Sequence, residues 1–134
     1  MGFADFSGTY ELASGEGYEE YLESIGVDSA NRKAMASAQQ TVTIKQEGDQ
    51  YTLTTTTPTK TTSSQFVLGQ EYIEAYDDGR KVQGICRRDG NRLVQALKLG
   101  DVTTTIYRSF DDGGFETVFQ GVNVVAKRSY TRLA

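Results

Sequence analysis

Histidine and tryptophan are missing from all 134 residues, and proline and cysteine occur once each, as Pro58 and Cys86. The lack of histidine excludes Ser-His-Asp and Cys-His nucleophilic sets, and with them imidazole-ligated zinc, copper or iron. One cysteine makes neither an internal disulfide nor a thiolate cluster. A staple-free chain of this size points to a reducing, cytoplasmic compartment. No apolar run approaches the ~20 residues of a membrane helix. The opening Met1–Phe6 lacks the basic stretch and apolar block of a secretory signal. It also lacks the Ser or Thr that a myristoylation signal needs at position 6. The expectation is a soluble monomer forming one domain over 1–134, long enough to bury a core, with no cofactor, metal or catalytic residue.

The 14 Lys+Arg against 18 Asp+Glu leave a net charge of −4, with a pI near 4.8. That balance argues against nucleic acid as the partner, because phosphate binding needs positive faces. The charge is uneven, however: residues 1–79 hold 4 basic and 13 acidic side chains, and residues 80–134 hold 10 and 5. Either the molecule has two surfaces of opposite sign, or some C-terminal arginines lie inside it.

Glycine-centred turns recur at Gly48, Gly69, Gly79, Gly90, Gly100, Gly113-Gly114 and Gly121, mostly at intervals of about ten residues. Between them lie segments of strand-forming residues, such as Thr41–Ile44 and Val102–Tyr107. Short strands regularly spaced by turn chemistry mark an antiparallel meander. Pro58 cannot donate to a ladder, so it splits the long stretch after Gly48 into strands at 50–57 and 60–67. Eight of the eleven residues from 52 to 62 are threonine, read as strand rather than linker because Tyr51, Leu53 and Phe66 flank them. The exception to the β pattern is 16–38. Tyr18, Tyr21, Leu22 and Ile25 recur at helical spacing, Gly26 stops that helix, and Asp28 caps a second running to Ala38. One strand at 6–13, a helix pair and nine further strands predict an all-β fold: a ten-stranded antiparallel up-and-down barrel with a helix-turn-helix lid between strands 1 and 2. Closure would remove the exposed edges, and a barrel of that size encloses a cavity.

Strand alternation then tests the arginines. The apolar row of the last strand reads Val122, Val124, Ala126, Arg128, Tyr130, and that of an earlier one Val102, Thr104, Ile106, Arg108, Phe110. The neighbouring strand puts Phe115, Thr117 and Phe119 inward. Two guanidinium groups thus fall on inward rows that contain no Asp or Glu. A buried, unpaired arginine costs several kcal/mol and cannot escape by losing its proton. An amphipathic anion with a long apolar body would satisfy both, its carboxylate taken by the arginines and a tyrosine hydroxyl. The competing account is an internal carboxylate such as Glu74, or trapped water.

Other candidates carry less chemistry. The carboxylate pairs Asp77-Asp78 and Asp111-Asp112 sit in Gly-containing turns and are read as turn formers. Cys86 lies beside Arg87-Arg88, a pair that can lower its pKa; it is read as an ordinary strand cysteine. Arg87, Arg88 and Arg92 are read as a solvated hairpin, and no glycine spacing matches a phosphate loop.

From Phe6-Ser-Gly-Thr-Tyr-Glu-Leu12 through Tyr18–Leu22, Gly26-Val27, Asn31–Lys33, Gly48-Asp49, Phe66–Tyr72, Thr104–Arg108 and Arg128–Tyr130, the chain resembles the intracellular lipid-binding proteins, the family of fatty-acid-binding and cellular retinoid-binding proteins. The resemblance covers nearly the whole chain. It implies a non-enzymatic carrier whose ligand carboxylate is held by Arg128 and Tyr130, with Arg108 direct or through water. Arginine at both 108 and 128 implies a carboxylic acid rather than an alcohol or aldehyde: a long-chain fatty acid first, retinoic acid as alternative. Implied cavity and portal positions are Tyr18, Tyr21, Leu22, Val27, Met35, Thr55, Thr59, Asp78, Leu97, Thr117 and Phe119. Tyr10 and Leu99 replace tryptophans of many relatives, and Thr59 stands where many carry a gate phenylalanine. Glu23 replaces a lid lysine, leaving only Arg32 and Lys33, so contact with anionic membranes is expected to be transient at most. An isomerase or lyase using the same cavity and an extracellular lipocalin are the alternatives. Neither a residue pair spaced for proton transfer nor a signal segment favours them.

Overall fold

The computed structural model describes residues 5–75 and 80–133. Strand β1 (Gly8–Glu16) leads into helices α1 (Tyr18–Ser24) and α2 (Ser29–Ser37). Nine strands follow: β2 (Thr41–Glu47), β3 (Gln50–Thr56), β4 (Thr61–Val67), β5 (Glu71–Ala75), β6 (Lys81–Asp89), β7 (Arg92–Leu99), β8 (Val102–Asp111), β9 (Gly114–Gln120) and β10 (Val125–Arg132). Burial alternates along them, most clearly in β7, where Leu93, Gln95 and Leu97 are buried. Two-residue turns join several, and Gly90 and Gly100 there take φ of 64°, a region that residues with a Cβ enter at a cost.

All ten strands form one antiparallel sheet in the order β4-β3-β2-β1-β10-β9-β8-β7-β6-β5. The chain's first strand pairs with its last, Leu12 opposite Tyr130, and this closes the meander into a barrel. The expectation that closure removes every edge is corrected. Strands β4 and β5 end the sheet without a ladder between them, and a side-chain bond bridges them instead, Ser64 Oγ donating to Glu74 Oε1 at 3.2 Å. Two sequence boundaries also move. The first strand starts later and carries an irregularity between Leu12 and Ser14, which leaves Phe6 before the strand. Val122 is 47% exposed, because the inward row extends only as far as the ladder, which β10 joins at Val125.

Two apolar clusters fill the ends. One holds Phe6, Tyr10, Tyr51, Phe66, Phe110, Phe115 and their neighbours. Arg88 belongs there too, its guanidinium 4.1 Å from the Phe6 ring centroid and donating to the Tyr51 hydroxyl, so that part of the basic hairpin is not simply solvated. The other joins Tyr21, Leu22, Ile25 and Val27 of the helical lid to Val82, Leu97, Leu99, Ile106, Phe119 and Ala126 of the wall. Tyr10 and Leu99 are both buried.

Hydrogen bonds hold the lid in place. Thr104 Oγ1 donates to Gln120 O, so at 2.9 Å the Tyr21 hydroxyl is the donor to Thr104. Arg80 and Arg32 donate to the carbonyls of Ile25 and Val27 on either side of Gly26. Asp28 caps α2 through the Asn31 amide at 3.0 Å, as its position in the sequence predicts.

Candidate functional site

The inner cavity draws its walls from both clusters and has a volume of about 130 Å³. That is smaller than the ~300–1,000 Å³ usual for small-molecule sites. Of the residues that sequence reasoning nominated, Tyr18, Thr55, Leu97, Arg108, Thr117, Phe119 and Tyr130 line it. Tyr21, Leu22 and Val27 are fully buried between lid and wall, and Met35 packs against that same cluster. Thr59 is exposed in the turn between β3 and β4. Asp78 and its neighbour Asp77 lie outside the described residues.

Register gathers the polar groups on three strands. Arg108 on β8 is the cross-strand partner of Thr117 on β9, and Thr117 is the partner of Arg128 on β10. Side chains opposite one another on a face stand about 5 Å apart at Cβ, so the three form one row. Tyr130 follows on the same face of β10, stacked on Phe115 at 4.6 Å. Its hydroxyl donates to Gln40 Oε1 at 2.6 Å. Burial pushes this phenol above its ordinary pKa, while the Arg128 and Arg108 charges pull it the other way.

Arg128 is 4% exposed. Its Nη2 donates to the Ala36 carbonyl at the end of α2, and its guanidinium lies 3.8 Å from the Tyr18 ring centroid. Its Nη1 is buried without a hydrogen-bond partner among the described residues, and so is Thr117 Oγ1. Gly15 makes this packing possible. A Cβ there would stand 2.9 Å from both Arg128 Cγ and the Lys127 carbonyl. Arg128 is not among the residues lining the inner cavity; it borders an outer crevice between β1 and the lid.

Arg108 meets the protein differently. Its Nη1 donates to Gln95 Oε1 at 2.8 Å, and Gln95 Nε2 turns to Glu74 Oε1 at 3.3 Å and to the Tyr72 hydroxyl. Glu74 therefore reaches Arg108 through an amide rather than as an ion pair. Among the described residues neither inward arginine is paired with a carboxylate. Desolvation, with Glu74 adding to it, pushes the Tyr72 phenol far above its usual range.

Sequence reasoning missed Gln95 and Gln40 as site residues, and the hydroxyls of Thr62, Ser63 and Ser64 that also line the cavity. The parity argument applied to β7 finds Gln95, which shares a row with Leu93 and Leu97. Gln40 precedes its strand and has no periodic signal. Cys86 is wholly buried, and burial pushes its thiol up to about 11, so the activated alternative does not hold.

The model of the lipocalin / cytosolic fatty-acid binding protein family matches residues 7–120. A fatty acid-binding protein of Tyrophagus putrescentiae is 38% identical over 128 residues, spanning 94% of this chain and 96% of that protein. Sodium/calcium exchanger regulatory protein 1 of Doryteuthis pealeii is 35% identical over 130 residues, 97% of this chain and 98% of its own. Among solved structures, a Schistosoma mansoni fatty acid binding protein in complex with arachidonic acid superposes with a TM-score of 0.93 at 28% identity, covering 98% of each chain.

Proposed function

The chain belongs to the lipocalin / cytosolic fatty-acid binding protein family, and on that premise we propose that it is a non-enzymatic, monomeric, cytoplasmic carrier of a long-chain carboxylic acid. The acid's carboxylate is received by Arg108, Arg128 and Tyr130, with the Thr117 hydroxyl between the two arginines. The observation that carries this reading is the pair of orphaned buried atoms, Arg128 Nη1 and Thr117 Oγ1, on adjacent members of one cross-strand row. An unmet buried donor costs about 1–3 kcal/mol, more when charged. A carboxylate supplies acceptors for both at once, and its planar pair of oxygens suits a guanidinium.

The tail lies against Leu97, Ile106, Phe115 and Phe119 of the same cavity. Burial there contributes up to ~0.8 kcal/mol per methylene and supplies most of the affinity. The polar contacts fix orientation and chemical class, because their gain is offset by desolvation of the carboxylate. The arrangement works by equilibrium binding. The acid exchanges for cavity water, and release follows when the lid opens.

Calorimetric titration of palmitic acid and palmityl alcohol into the wild type and Arg128→Gln tests the assignment. Losing a charge-assisted hydrogen bond, worth ~1.5–3 kcal/mol, should weaken the acid by about 10- to 100-fold and the alcohol by far less. Equal losses for the two ligands would sink the carboxylate assignment.

A further inference from the structure

Among the described residues, Tyr18 alone lines both the inner cavity and the outer crevice. Its ring centroid lies 5.0 Å from that of Phe119, a cavity residue, and 3.8 Å from the guanidinium of Arg128, which borders only the crevice. The crevice exists because β2 leaves β1 early. Their ladder ends at Glu11, and from Leu12 onward the end of α2 stands beside β1 instead. The space there is about 330 Å³, against about 130 Å³ inside. The cation that the carrier reading assigns to the carboxylate thus borders one space and the tail fills the other, with the Tyr18 ring common to both.

We infer that Tyr18 is the door between these spaces: a bound acid turns the ring off Arg128, and cavity and crevice become one site with the carboxylate at their junction. This deepens the carrier reading and rests on it. The ring and the carboxylate compete for one guanidinium. An aromatic face offers a cation less than an anion does, and only the anion brings acceptors for Arg128 Nη1 and the Thr117 hydroxyl. The ring is placed to move. Tyr18 is the first residue of α1, follows Gly17 at φ 76°, and no side chain caps that helix end. Tyr21 and Leu22, in the middle of α1, are wholly buried and keep the helix itself in place. Ala13, Gly15, Ala36 and Ala38 line the crevice with small groups, which leaves room for the ring to turn. Exposed Glu16, Glu19 and Glu20 stand round it too, so an anion is repelled from the outside and comes to Arg128 from within.

Two measurements on the full chain test the door. The first is calorimetric titration of palmitic acid and palmityl alcohol into the wild type, Tyr18→Leu and Tyr18→Phe. Leucine cannot hold the guanidinium, so the acid should bind about threefold to tenfold more tightly while the alcohol is unchanged. Phenylalanine keeps the aromatic face and should behave as the wild type. The second measurement leaves Tyr18 in place and decides the matter if the leucine variant does not fold. The chain has no tryptophan, so Ser37→Trp puts a single reporter at an exposed crevice position. 2-Bromopalmitic acid, brominated beside its carboxyl, should quench it; 16-bromopalmitic acid, brominated at the tail tip, should not. The inference is overturned if Tyr18→Leu weakens the acid or shifts both ligands alike, or if bound 2-bromopalmitic acid leaves the reporter unquenched. If the wild type binds neither palmitic acid nor its bromo derivatives, the carrier reading itself falls.

Discussion

Thr117 looks, along the chain, like one more wall position. The register makes it the residue between two guanidinium groups, with a buried hydroxyl that has no hydrogen-bond partner among the described residues. An empty barrel carries that hydroxyl as a cost and a filled one uses it. Thr117→Val keeps the shape and removes the orphan, so thermal unfolding of delipidated protein should show the variant more stable by about 1 kcal/mol. Affinity for a long-chain acid should drop at the same time. A variant less stable than the wild type would mean that the hydroxyl is bonded in solution. Gln95 teaches the complementary lesson. Strand parity reveals that it faces inward, but the relay from Arg108 to Glu74 spans β8, β7 and β5, and one strand's alternation says nothing about neighbours across three. Cys86 is simpler: the sequence reads it as an ordinary strand cysteine, and burial raises its thiol pKa, with Arg108 rather than the adjacent arginines pulling the other way.

The elements divide by how each is held. Strands β7 to β10 have ladders on both sides, whereas β4 and β5 each have one. Turn glycines located these strands well because each turn is a local event. The seam is a global one, set by where the tenth strand ends up, and no local signal marks it. Hydrogen exchange should therefore find the seam-facing amides of β4 and β5 exchanging orders of magnitude faster than those of β8 and β9. Equal protection would mean that the seam closes in solution. The lid is a second case. Arg32 donates to the Val27 carbonyl and lies 3.6 Å from Glu23, so one of the lid's few basic groups is occupied internally. Glu19, Glu20 and Glu23 add negative charge on α1. Transfer of a fluorescent fatty acid to anionic vesicles should accordingly proceed by release into water, at a rate that depends little on vesicle concentration. Rates that climb steeply with acceptor vesicles would show that the lid collides with membranes despite this charge.

At the scale of the whole molecule, the uneven charge of the sequence becomes intelligible. Arg108 and Glu74 line the cavity and Arg128 is buried, which leaves 12 basic and 17 acidic side chains for the rest of the molecule. The net charge thus understates how acidic the exterior is. The meander, the lid and the inward arginines were legible because alternation, turn chemistry and helix stops are written in neighbouring residues. The open seam, the partnering of Tyr130 with Gln40 and the hydroxyl wall were not, because each depends on residues brought together from distant strands. The central claim is that an acid's carboxylate sits among buried cations. Carbon-13 NMR of carboxyl-labelled palmitic acid bound to the protein, followed through an acid titration, tests it most directly. With Arg108 and Arg128 beside it, the carboxylate should stay ionised well below the ordinary range near ~4, and its resonance should hardly move until the protein unfolds. A bound carboxyl that titrates at or above its value in water would contradict the account.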